Sequence, residues 1–191
     1  MRKPINATSA SPRKGASAPR PWLETMRIAL REFTPDDFDD LHRLDIDRRV
    51  VRFFREGQPS TRVETAKAIQ RITRYSTWYP DFGIWYATRR DSGAFIGWFA
   101  LKYAGRSPDV EIGYRLRHDQ WGLGFATEGA TALLQFGFDD LGLDRIIGVT
   151  HPENFASQRV LMKAGLIDRG WGHYYDARLR LFVADNPYRS R

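Results

Sequence analysis

The chain has 191 residues, of which 42% are hydrophobic and 28% charged, the size and balance of one globular domain. It has no cysteine, which excludes disulfides, thiolate metal sites and a cysteine nucleophile; no apolar run approaches the ~20 residues of a membrane helix, and no apolar segment follows the first basic residues as a secretory signal would require. The net charge is +7, but residues 1–24 hold Arg2, Lys3, Arg13, Lys14 and Arg20 against Glu24, so +4 of it sits there and the rest of the chain carries an unremarkable +3, which weakens a nucleic-acid reading. Residues 1–22 are rich in Ser, Ala, Pro, Arg and Lys and offer little to bury. They are expected to be a disordered basic tail, with 23–191 as the domain. The elements of that domain follow in order. Residues 26–32 alternate Ile28 and Leu30 with Arg27, Ala29 and Arg31 and predict a strand. Thr34, Pro35 and the following acids start a helix with Phe38, Leu41 and Leu44 on its inner face. Residues 50–54 form a basic and apolar connector without a clear period, with at least one of Phe53 and Phe54 expected in the core. Thr61 and Glu64, three apart, are spaced as a capping box for a helix carrying Val63, Ala66, Ile69, Ile72 and Tyr75, broken at 79–83. Strands at 84–89 and 95–103, turned at Asp91-Ser92-Gly93, and a third at 110–116 make an antiparallel meander. A helix over 126–140 ends near Gly142; a strand spans 144–150; Asn154 caps a helix that Gly165 terminates; strands at 166–170 and 178–184 close the chain. The plan is a mixed α/β fold.

The most informative stretch is 111–128: a strand, then Gln120, Gly122, Gly124 and Ala126 crowded into one short loop, then a helix. Glycines without Cβ let the backbone approach a ligand. The first N–H groups of the next helix have no intrahelical acceptor, and the helix dipole adds positive charge. Such a loop suits an anion such as a pyrophosphate. It is not a Walker A, since no Gly-Lys-Ser/Thr follows, and Thr127 stands where the third glycine of G-x-G-x-x-G would be. A tight strand-to-helix turn is the plain alternative.

The run from Gln120 to Glu128 resembles the pyrophosphate loop of the GNAT N-acetyltransferases, Gln/Arg-x-x-Gly-x-Gly/Ala, and Glu-Ile-Gly-Tyr before it is most similar to the RimJ/RimL-like branch. Asn-Phe-Ala-Ser-Gln-Arg-Val-Leu-Met-Lys-Ala-Gly-Leu at 154–166 resembles that branch's second signature, departing at Leu166, where a phenylalanine is usual. The resemblance covers about residues 25–184. It implies a GNAT-like fold, a central, mostly antiparallel sheet flanked by helices, splayed open where acyl-CoA enters. It also implies an acetyl-CoA-dependent N-acetyltransferase with no metal, located in the cytoplasm as a monomer or homodimer. Its acceptor would be a protein N-terminus or a small amine.

Acetyl transfer needs a held CoA, a polarised thioester carbonyl, an amine relieved of a proton and a stabilised leaving thiolate. The resemblance assigns the holding to Gln120, Trp121, Gly122, Leu123, Gly124, Phe125, Ala126 and Thr127. A backbone N–H among Tyr114, Arg115 and Leu116 would polarise the carbonyl. Asn154 would meet the pantetheine arm and Ser157 the sulfur; an N-cap and an ordinary first-turn serine are the plain reading of that pair. Glu111 is the first candidate for proton removal or for anchoring the ammonium, against a surface glutamate paired with Arg115 or Arg117. Asp168 stands where the RimL-like branch tends to carry a glutamate. His151 ends a strand beside the expected cleft and reads as a structural hydrogen-bonder. The tyrosine that many GNATs keep four residues before the helix-ending glycine is Leu161 here, which leaves Ser157 to assist the thiolate. Trp78, Trp85, Trp98, Trp171, Tyr174 and Tyr175 read mostly as core or sheet-face residues, with one or two available to wall an acceptor pocket. Two other readings stand beside the enzyme: a sensor that binds acyl-CoA without turnover, and weak, salt-dependent contact of the basic tail with nucleic acid.

Overall fold

The computed structural model describes residues 22–54 and 57–188. Its frame is one eight-stranded sheet in the order β1-β2-β3-β4-β5-β6-β8-β7. The strands are β1 (Leu23–Glu24), β2 (Ile28–Glu32), β3 (Gly83–Arg89), β4 (Phe95–Tyr103), β5 (Val110–Leu116), β6 (Arg145–Thr150), β7 (Ile167–Tyr174) and β8 (Ala177–Asp185). All neighbours are antiparallel except β5 and β6. β4 and β5 match over seven pairs, from Gly97–Leu116 to Tyr103–Val110. The parallel β5–β6 register rests on the single pair Glu111–Ile147. Past it the two strands part toward their C-terminal ends, and the sheet is open there.

Helices cover both faces because the strands are apolar on both. On one face α4 (Phe125–Asp139) and α5 (Phe155–Ala164) pack on Ile96, Phe99, Leu101, Ile112 and Ile146. On the other, α1 (Phe38–Ile46), α2 (Arg48–Val51) and α3 (Arg62–Trp78) enclose a smaller core of Phe33, Leu41, Leu44, Ile69, Tyr86 and Phe95. Ile96 and Phe99 are three apart yet face the same core, which strict alternation forbids. A β-bulge explains it: the β3–β4 register shifts between Ala87 and Thr88, and Gly97 takes the extra residue's turn at φ +139°.

Local signals set several ends as the sequence predicts. Thr61 and Glu64 form the capping box of α3, and Asn154 caps α5 by accepting from the Ser157 N–H at 3.1 Å. Gly165 ends α5 at φ +109°. Elsewhere tertiary contacts redraw the expectation. The first strand starts at Ile28, not 26, because Thr25 and Ile28 close a turn through Met26 and Arg27, and a short strand not expected from sequence, β1, precedes it. Trp22, assigned to the tail from sequence, stacks on Trp85 at 4.2 Å; residues 1–21 of that tail lie outside the described residues. Asp47 caps a short helix, α2, in the connector. Neither aromatic there joins the core: Phe54 is 48% exposed, and Phe53 stacks on His151 at 5.1 Å. The last two strands run longer than expected and meet in a two-residue turn, Tyr175 and Asp176, both at positive φ. That is the twist a type I′ hairpin needs, built here without glycine or asparagine at Tyr175.

Candidate active site

The loop leaves β5 at Leu116, makes a turn at His118–Gln120 and enters α4 at Phe125. Trp121 folds back and donates its Nε1–H to the Leu116 carbonyl at 2.9 Å, its ring tilted against His118 at 4.8 Å. Gly124 is the N-cap of α4 at φ +83°, a left-handed conformation that opens the helix end to solvent. Among the described residues, Gln120 Oε1 is the buried side-chain polar atom with no hydrogen-bond partner. A buried acceptor left unmade costs about 1–3 kcal/mol unless something supplies a donor. The open N–H groups of the first α4 turn make the donor-rich loop end that a phosphate-bearing group fits, whereas Gln120 Oε1, an acceptor, calls for an N–H or O–H donor and contributes nothing to holding phosphate. Leu123 and Trp121 are about half exposed beside it, whereas Phe125 is buried.

The opening between β5 and β6 is bridged by side chains. The Tyr114 hydroxyl lies 3.0 Å from Ser157 Oγ and 3.2 Å from the Ser157 carbonyl. Burial pushes the Tyr114 hydroxyl's pKa up, opposed by its bond to Ser157. Tyr114 and Ser157 are therefore in contact although 43 residues apart. Arg115 alternates to the opposite face. Its Nη1 meets Asp45 Oδ1 at 2.5 Å, and its guanidinium covers the Phe54 ring at 3.9 Å. Only its backbone is left to face a ligand in the cleft.

Glu111 sits at the fork itself and is 7% exposed. It pairs with neither Arg115 nor Arg117, the partners expected of a surface glutamate. Arg115 goes to Asp45 and Arg117 to Asp119. The partner of Glu111 is Lys102, directly across on β4, whose Nζ reaches Oε2 at 2.9 Å. The Tyr175 hydroxyl, brought over by the β7–β8 turn, donates to the same Oε2 and accepts from Lys102 Nζ at 2.5 Å. Burial first, then the Glu111 charge, raise the Tyr175 hydroxyl's pKa. Both donors use Oε2, and among the described residues none donates to Oε1. Tyr75 of α3 and Tyr79, its C-cap, 5.0 Å apart, and Tyr103 wall this corner, and the Tyr103 N–H donates to Tyr75 Oη at 2.9 Å.

Asp168 is not brought to this group. It lies on edge strand β7, three strands from β5 in the sheet order, bonded to Arg180 and to the Gly170 N–H. His151 accepts from the Glu153 N–H at 3.2 Å, the structural role expected of it. The sequence reading missed Lys102. An antiparallel register would have found it, since Lys102 and Glu111 face each other across the short β4–β5 turn.

This geometry can be set beside known proteins. The family described as "Acetyltransferase (GNAT) domain" matches residues 27–167. The chain belongs to the GNAT acetyltransferase family. It is 30% identical over 155 residues to the FsC-acetyl coenzyme A-N(2)-transacetylase of Aspergillus fumigatus, covering 77% of this chain and 65% of that one; it thus spans a little under two thirds of that relative's length. It is 33% identical over 154 residues to the uncharacterized N-acetyltransferase YoaA of Bacillus subtilis, covering 78% of this chain and 85% of that one. A solved acetyltransferase from Agrobacterium tumefaciens shares the fold at a TM-score of 0.76, with 22% identity over 90% of this chain and 98% of that one. The GNAT plan expected from the two signatures is thus the plan of this sheet, mostly antiparallel and open between β5 and β6. No metal-binding cluster occurs among the described residues, and none of the described helices is long and apolar enough to cross a membrane.

Proposed function

We propose that the chain moves an acetyl group directly from acetyl-CoA to a primary amine. The observation that carries this is Glu111. A buried carboxylate at the fork of the sheet has one oxygen committed to Lys102 and Tyr175, and among the described residues the other has no hydrogen bond. An acceptor ammonium anchored on Oε1 gives up a proton there or to a water on it. Its nitrogen then bonds to the thioester carbon, the C–S bond breaks, and the CoA thiolate leaves and takes up the second proton, which the nitrogen sheds as it becomes the amide. The thiolate needs only modest help, its pKa being near that of an ordinary thiol. The Ser157 hydroxyl, held by Tyr114, is the group set to supply a hydrogen bond. The loop from Gln120 to Thr127 holds the pyrophosphate, and the N-cap Asn154 faces the pantetheine arm. The Tyr75, Tyr79 and Tyr103 wall gives the acceptor an apolar and hydroxyl-bearing side. Acetyl-CoA as donor agrees with the name of the Aspergillus relative; a peptide N-terminus as acceptor follows from the RimJ/RimL-like signatures, and a small amine suits the same site.

The test is calorimetric titration with acetyl-CoA and CoA, beside Gly124→Glu. The variant forces a side chain at positive φ within 3.3 Å of Arg27 Nη2 and puts a negative charge into the anion loop. One-site binding is expected, weakened about 100-fold or more in the variant, the effect of losing about 3 kcal/mol of phosphate contacts. An acceptor screen then reads released CoA with a thiol reagent, free of background because the chain has no cysteine. Absent binding sinks the proposal; tight binding with no amine turned over would mark a sensor instead.

A further inference from the structure

Outside the reacting groups, a dense polar contact joins the first strands to the CoA loop, and the proposed chemistry has no use for it. Glu128, in the first turn of α4, accepts four donors. Thr25 Oγ1 at 2.6 Å and the Arg27 N–H at 2.8 Å meet Oε1; Arg27 Nε and Nη2, each at 2.6 Å, meet Oε2. The third guanidinium nitrogen, Nη1, donates to the Leu123 carbonyl at 2.9 Å. The plane of that guanidinium lies over the Phe125 ring at 4.7 Å. The turn bearing Arg27 is itself tied down: Arg90 donates its N–H to the Arg27 carbonyl at 2.9 Å and Nη1 to the Thr25 carbonyl at 2.7 Å. The segments are 101 residues apart, so no local rule produces the contact.

Its stability value is small, because Arg27 is 44% exposed and exposed pairs contribute little. Its geometric consequence is larger. A trans peptide points its C=O and N–H in opposite directions. With the Leu123 carbonyl drawn outward to Arg27, the Gly124 N–H is turned the other way, inward to the loop. Gly124 tolerates this at φ +83°. Glu128 also carries a negative charge in the helix turn that is meant to receive an anion. Thr25 and Arg27 saturate both its oxygens and neutralise it there, and these bonds hold its carboxyl below the usual range against the opposing effect of burial.

We propose that Thr25, Arg27 and Glu128 form a latch that sets the 120–127 loop for the cosubstrate's pyrophosphate by orienting the Leu123–Gly124 peptide and removing the Glu128 charge. All three are positioning residues and touch no reacting atom. The proposal rests on the loop's reading as the acetyl-CoA site. The experiment uses the full chain and two donors, acetyl-CoA and S-acetylpantetheine, which lacks the pyrophosphate. For Arg27→Met the expected result is a rise of about tenfold in Kd for CoA and in KM for acetyl-CoA, the effect of one misdirected donor to a charged ligand. kcat and the kcat/KM for S-acetylpantetheine should stay within about twofold on the same scale. Arg27→Lys, which keeps the charge without the fork, should recover only part of the loss, and Glu128→Gln, which loosens Arg27 but leaves no carboxylate charge in the anion loop, should raise Kd by less than Arg27→Met does. If Arg27→Met does not fold, the lysine and glutamine variants carry the comparison. Equal losses with both donors, or no loss with either, would overturn the latch while leaving the acyltransferase reading intact. A parent protein that fails to bind CoA would remove both.

Discussion

Glu111→Gln is expected to lower kcat/KM for amine acetylation by about 10²- to 10⁴-fold, the range that a positioned proton acceptor contributes, while Kd for CoA changes little. The side chain keeps its shape but loses its charge. Oε1 then no longer attracts an ammonium, and Lys102 loses its ion-pair partner. Asp168→Ala is the contrast: Asp168 sits on edge strand β7, bound to Arg180, so its loss should leave kcat/KM within about threefold, the non-specific range of a remote surface change. Steady-state rates for both variants, with melting curves to confirm folding, give the comparison. Equal rates for Glu111→Gln and the parent would show that Glu111 is only an internal partner for Lys102. An equal loss at Asp168 would put the chemistry elsewhere on the sheet.

The largest stability effect is expected at Gly97. A Cβ there would stand 2.1 Å from the Arg115 carbonyl oxygen and 2.8 Å from Leu116 Cα, both backbone atoms of β5 that no rotamer can move. The residue is also at φ +139°, which L side chains rarely adopt. Gly97→Ala should therefore cost about 3 kcal/mol or more, adding backbone strain to overpacking. Gly93→Ala gives the scale for strain alone. It is at φ +69°, and a Cβ there meets nothing within 4 Å, so about 1–2 kcal/mol is expected. Urea midpoints at constant slope separate the two. Matching midpoints would mean that the bulge relaxes freely and does not lock β4 to β5. Because the bulge sets which face each β4 side chain takes, Gly97→Ala should also disturb Lys102, which lies on the same strand, opposite Glu111.

What the sequence by itself determined is what short-range physics controls. Thr61 with Glu64, Asn154 with Ser157, and Gly165 mark helix ends because a cap bonds three residues away. Gly122 and Gly124 mark the loop because its backbone needs positive φ at both. Alternation marks β2, and runs of branched and aromatic residues bounded by turn residues mark β3 to β6, since both patterns are local. The two signatures, one on the loop and one on α5, were enough to place the chain in its family before any distance was known.

Only the tertiary structure decided the rest, and in each case the deciding contact spans the chain. The β4 bulge breaks the alternation that sequence reading relies on. Glu111 is buried against Lys102 and Tyr175 and not on the surface with an arginine, since Tyr175 comes from a hairpin 64 residues on. Strand parity sends Arg115 to Asp45 and away from the cleft, and sheet order leaves Asp168 at an edge. Tyr114 reaches Ser157, and Arg27 reaches Leu123 and Glu128, only once β5 and β6 have parted and β1 and β2 have folded beside α4. Local energetics fixes where elements begin and end. Which side chains meet is fixed by pairing register and by closing loops of 40 to 100 residues, whose information is spread over the whole chain.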